Sequence, residues 1–236
     1  MSYAQNSYGQ LGDFAALAAA DERSTFITRT YTHLAGAIAL FAGLEAVMLN
    51  SGVAQSLLDV MRLQWGGLIM FGLFIVVSMV ASNWAVSAVS PTTQYAGLGL
   101  YVLAESIIFA PLLLIANQID KSVIPSAAIT TVVLFGGLTA TVFITRKDFS
   151  FLRSILVFAS FAAMGLMIVA MFTGLHLGAF FLYAIIAMAC GYILYDTSNV
   201  LHHYRIGQHV AAALALFASV ALLFYYLVLL FMSRRD

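Results

Sequence analysis

Seven apolar stretches of bilayer-spanning length recur along this 236-residue chain, at about 26–49, 64–83, 95–116, 122–144, 153–173, 178–200 and 210–232. A run of about 20 apolar residues crosses the hydrocarbon layer as a helix, so the pattern predicts seven transmembrane helices. The breaks between them have chemical causes. Asn50-Ser51-Gly52 ends the first, and Asn83 with Ser90-Pro91-Thr92-Thr93 separates the second from the third. Asn117 to Lys121 and Thr145-Arg146-Lys147-Asp148 part the next two pairs. Thr173-Gly174 with Gly178 makes a turn without any charge, and His202 to Arg205 with Gly207 makes the last. Were the uncharged turn absent, the count would fall to six. Residues 1–25 are polar and lack a basic stretch followed by an apolar core, so no secretory signal is read there. The domain reading is therefore a polar tail over 1–25 and a transmembrane domain over 26–236.

Composition agrees with this picture. Hydrophobic residues make up 63% of the chain and charged ones 8%, against roughly 25% charged in an ordinary globular protein. An all-α, polytopic membrane protein is expected, with the lipid bilayer as its first partner. Net charge is +0 and the ten basic residues are scattered, which gives no footing for nucleic acid. Cys190 is the single cysteine, which excludes an intramolecular disulfide. Arg23, Arg29, Arg146, Lys147, Arg153 and Arg205 fall on the N-terminal side of the spans, against Arg62, Lys121, Arg234 and Arg235 on the other. Positive loops stay inside, so the N-terminus is expected in the cytoplasm.

Small residues point to close packing. Gly36, Ala39, Gly43 and Ala46 form a stripe on the first span that would admit a neighbour. The seventh span opens with seven Ala or Ser in the eleven positions from Ala211 to Ala221. Small side chains on every face suit a helix surrounded by others, so the last helix is expected at the centre.

Three acids interrupt the apolar runs: Glu45, Glu105 and Asp196. The last ends a stretch, Ser154 to Tyr195, without a single Asp, Glu, Lys or Arg. A charge at mid-bilayer costs on the order of 3 kcal/mol, so acids kept there face a cavity, a partner or an ion path. Asp196 shares a helix face with Tyr192, Asn199 and His203. One reading is a protonatable gate or cation site, since carboxylate, amide and hydroxyl oxygens suit a hard cation such as calcium. The other is a structural carboxylate bonding neighbouring helices.

For Glu105, with Pro111 a turn and a half beyond it, a proton- or cation-responsive role and a packing hydrogen bond stand level. Glu45, near the outer end of its helix where water has access, is read first as structural. His202, His203 and His209 flank the last turn and are read as solvated, with metal binding by the adjacent His202 and His203 disfavoured because they point apart. His33 and His176 show no partner. No Gly-x-Ser-x-Gly, His-Glu-x-x-His or Walker pattern is present, so neither an enzyme nor a cofactor is expected, calcium as a permeant or bound ion apart.

Three segments carry a family likeness: Leu194-Tyr195-Asp196-Thr197-Ser198-Asn199, Thr145-Arg146-Lys147-Asp148-Phe149-Ser150-Phe151-Leu152, and Leu103 to Leu112. Together they resemble the Bax inhibitor-1 family, and most closely its bacterial YccA-like branch, from about Arg29 to the C-terminus. The resemblance implies a seven-helix bundle around the last helix, in a bacterial inner membrane. It also implies a pH-sensitive calcium leak in some members and association with the membrane protease FtsH in the YccA-like branch. The leak's gate is a pair of aspartates, of which Asp196 matches the first. Ser219, in Leu216-Phe217-Ala218-Ser219, stands where the second would be. Two carboxylates can share a proton, and an aspartate beside a serine cannot, so the two-acid gate does not carry over whole. The rival expectation is a non-transporting regulator or client of such a protease, which would grip the polar tail.

Overall fold

Gly174 decides the span count. It ends a helix with φ 70°, in the left-handed region that glycine enters without steric cost, and the chain leaves the helix there without any charged residue. The computed structural model describes residues 14–87, 90–175 and 177–234. Its helices are α1 Ala20–Ser51, α2 Val53–Arg62, α3 Gly66–Val86, α4 Pro91–Ile119, α5 Val123–Thr145, α6 Leu152–Thr173, α7 Gly178–His202 and α8 His209–Met232. All except α2 are long and apolar enough to cross a membrane, which makes seven among the described residues. The fold is an all-α, multi-pass membrane fold.

Helix α2 lies where the sequence suggested a connection. Gly52, at φ 83°, ends α1 in the left-handed conformation and leads straight into it. Ala54 and Leu58, four apart, are buried. Asp59 lies on the other side, accepting from Gln55 Nε2 at 2.9 Å and pairing with exposed Arg62 at 3.8 Å. Ten residues are too few to cross a bilayer. An alternating apolar and polar face over Val53–Arg62 was the signal available, and it was too short to stand out beside the spans.

Residues 1–13 of the expected tail lie outside the described residues, as does His176. Residues 20–25 already belong to α1. Just ahead of it, the Ala15 amide donates to the Tyr204 carbonyl at 2.9 Å, and the Arg205 guanidinium sits 4.8 Å from the centre of the Phe14 ring. This clamp ties the approach to α1 to the turn between α7 and α8.

The chain forms two compact units. The first holds the described residues up to Leu112 together with Val200–Phe217; the second holds Leu113–Asn199 and the described residues from Ala218 on. In the first, α1 turns Phe26, Thr30, Leu34, Ala37, Phe41 and Glu45 inward. These sit three or four apart, the spacing of one helix face. The Gly36–Ala46 stripe lies on the opposite, exposed side, and no atom approaches within 4 Å of where a side chain would begin at Gly36 or Gly43. The expectation of a close neighbour there is corrected: bulky residues, which must fill the interior, chose the buried face. In the second unit, Ala163, Ile185 and Tyr226 anchor a cluster joined by Phe181, Leu182 and Leu229.

Enclosure is uneven. Buried residues make up 56% of the most apolar stretch of α8 and 61% of that of α4, against 11–22% in the other five spans. The small residues of Ala211–Ala221 thus marked an enclosed helix correctly. Nothing comparable in the sequence marked α4.

Candidate functional site

Asp196 lies in the last two turns of α7 and is 7% exposed, with Thr197 and Ser198 wholly buried beside it. Ser219 Oγ, from α8 in the same unit, donates to its Oδ2 at 2.5 Å. The two side chains are thus in close O–H···O contact inside the second unit. The position matched to a second acid is therefore occupied by a donor that contacts the first. The rest of the expected polar stripe is distributed elsewhere. Tyr192 exchanges a hydrogen bond with Ser160 Oγ of α6 at 2.9 Å. Asn199 is half-buried, and His203 is exposed beyond the end of α7, its ring near that of His202.

The segment after α5 is fastened to α7 two residues past this acid. The Phe149 amide donates to Ser198 Oγ at 2.9 Å, and that hydroxyl donates in turn to Asp148 Oδ1 at 3.4 Å. Asp148 Oδ1 also accepts the Ser150 amide at 2.8 Å, holding the turn. Two of the three segments that carried the family likeness are thus hydrogen-bonded to each other. Their separation of about fifty residues hid this from any local reading.

In the first unit, Glu105 of α4 is 7% exposed and hydrogen-bonded by Tyr101, one turn earlier. The Tyr101 ring stands edge-on to Phe217 at 6.2 Å. Phe217 meets Phe41 at 5.9 Å with the ring planes at 66°, and Phe41 meets Phe109 at 5.0 Å with the planes at 85°. Such edge-to-face pairs are the favoured aromatic geometry. Glu45 follows Phe41 by one turn and is 4% exposed, with neither carboxyl oxygen hydrogen-bonded. The expectation of water access at Glu45 is corrected: α1 runs on to Ser51, and Glu45 lies on the buried face of that helix. Among the described residues, none of the three acids is in an ion pair. A buried polar atom without a partner calls for an explanation such as a proton, a water or an ion.

One further constellation was missed. His33, for which the sequence offered no partner, places Nε2 at 3.2 Å from the Tyr95 hydroxyl, and the same hydroxyl lies 3.5 Å from His209 Nε2. The three residues come from α1, α4 and α8, separated by 62 and 114 positions, so no spacing announced them. Among the described residues, no three His, Cys, Asp or Glu side chains are grouped to hold a metal. Asp196 consequently offers a calcium ion a single carboxylate.

Comparison with known proteins agrees with the segments that first drew attention. The family model described as inhibitor of apoptosis-promoting Bax1 matches residues 23–236. Protein LIFEGUARD 4 of Arabidopsis thaliana is 30% identical over 146 residues, 60% of this chain and 58% of that protein. An uncharacterized protein of Pseudomonas aeruginosa is 30% identical over 226 residues, 92% of this chain and 93% of its own length.

Proposed function

Starting from the fact that this chain belongs to the Bax inhibitor-1/YccA family of multi-pass membrane proteins, we propose that it provides a pH-sensitive leak for calcium or a similar cation. Asp196, with Ser219 as its hydrogen-bond donor, is the titrating element, and Glu105 and Glu45 are further stations for the ion. The observation that carries this reading is the state of the three acids: each is at most 7% exposed in a helix of bilayer length, without an ion pair among the described residues. A carboxylate so placed attracts either a proton or a cation, and exchange between the two makes conduction depend on pH. The setting is a bacterial inner membrane with the N-terminus in the cytoplasm, as the distribution of Arg and Lys favours. Liposomes loaded with a calcium indicator test it. Wild-type flux is expected to differ several-fold between pH 6 and pH 8, and Asp196→Asn to bring that ratio to about one. An unchanged ratio in the variant removes Asp196 from the mechanism.

A second reading, a regulator or client of an FtsH-like protease, draws on Ser219 standing in place of a second acid and on the polar stretch ahead of the Phe14 clamp. Removing residues 2–12 leaves that clamp in place. The half-life in cells is then expected to lengthen at least twofold where FtsH is present and to stay the same where it is absent. Equal half-lives of full-length and shortened chain in both strains would end this reading.

A further inference from the structure

We propose that His33, Tyr95 and His209 form a binding site for a zinc-type transition-metal ion, joining α1, α4 and the start of α8 within the first unit. The Tyr95 hydroxyl is within reach of both imidazole nitrogens. Tyr95 Oη lies 3.2 Å from His33 Nε2 and 3.5 Å from His209 Nε2. The two imidazole rings are 4.9 Å apart, and the Tyr95 ring stacks on His33 at 5.3 Å. A tetrahedral zinc with bonds of 2.0–2.1 Å sets neighbouring ligand atoms about 3.3–3.4 Å apart, and the two observed separations bracket that value. Both separations are also those of hydrogen bonds, so the same three side chains hold together when no ion is bound.

The protonation pattern is set for the same purpose. His33 Nδ1 lies 2.6 Å from the Arg29 carbonyl. A carbonyl only accepts, so Nδ1 carries the hydrogen and the Nε2 lone pair is left to face the Tyr95 hydroxyl. Metal-binding histidines are held in this way, the far ring nitrogen donating to a backbone carbonyl or carboxylate. Imidazole nitrogens select a zinc-type ion over calcium, which takes oxygens, so this site is chemically separate from the three buried acids.

Two cavities adjoin the three residues. His209 borders a cavity of about 240 Å³ shared with Asp21, Glu22 and Arg29, and His33 and Tyr95 border another of about 260 Å³. The lining of the first cavity thus brings two carboxylates and one guanidinium beside His209. Three protein ligands leave the fourth tetrahedral position to water. When Tyr95 binds through oxygen, its phenolic proton passes to solvent.

The test uses the full chain in detergent micelles, with zinc titrated against a chromophoric chelator. One zinc per chain is expected. His33→Gln and His209→Gln should each weaken binding at least tenfold and Tyr95→Phe about tenfold, while a His202→Gln, His203→Gln double variant binds as wild type does. Cobalt in place of zinc should give the visible absorption of a tetrahedral site. Wild-type protein is also treated with diethylpyrocarbonate, which needs no variant to fold, and zinc is expected to protect His33 and His209 from modification. Absence of zinc binding, unchanged affinity in His33→Gln, affinity lost in the His202, His203 double variant, or unprotected His33 and His209 would each overturn the proposal.

Discussion

Phe217→Ala is expected to lower the stability of this protein more than any other single truncation, by about 3 kcal/mol. Phe217 is 2% exposed and touches both Phe41 and Tyr101, so its ring joins the aromatic cluster to the helix that carries Ser219. Part of the usual penalty is absent in a membrane, because the unfolded spans remain in lipid and little transfer energy is lost. The cavity remains, and so do the lost aromatic contacts of about 0.5–1.5 kcal/mol each. Thermal unfolding in micelles measures the effect. Phe217→Leu should retain most of the wild-type midpoint, and Phe158→Ala, at a ring 77% exposed on α6, should leave it unchanged. A Phe217→Ala midpoint equal to wild type would show that the cluster contributes no stability.

Ser219→Ala carries the second large effect. The hydroxyl is the donor on Asp196 Oδ2, and its removal leaves a buried carboxyl short of a hydrogen bond. Bonds to charged groups contribute about 1.5–3 kcal/mol, and an orphaned acceptor adds its own desolvation cost. A double-mutant cycle with Asp196→Asn isolates the pair, and a coupling above about 1 kcal/mol is expected. Coupling near zero would make Ser219 a neighbour without a role, and Asp196 would then need another partner. The same variants in the flux assay separate stability from conduction, since a leak that depends on Asp196 alone survives Ser219→Ala.

What the sequence revealed divides along a physical line. Helix-length apolar runs, the uncharged turn at Gly174 and the three acids set within apolar runs are local features, and each was readable because lipid imposes length and polarity directly. Ser219 was legible only through the family likeness, which placed it opposite Asp196. The direction each helix faces was not legible. In a water-soluble helix the polar face marks the exterior, whereas here both sides of α1 are apolar, and the Gly36–Ala46 stripe misled for that reason. Glu45 was misjudged for the same reason, since its place near a helix end did not show that it lies on the buried face of α1. His33, Tyr95 and His209 were invisible because nothing in a lone histidine predicts which distant helix it will meet.

The contact between Arg205 and Phe14 has a bearing on how the molecule can be handled. A fluorescent label or purification handle joined ahead of residue 13 keeps the guanidinium under its ring. Trimming through Phe14 uncovers that charge at the hinge where two long spans meet, and a shortened version would carry a lesion its designer did not intend.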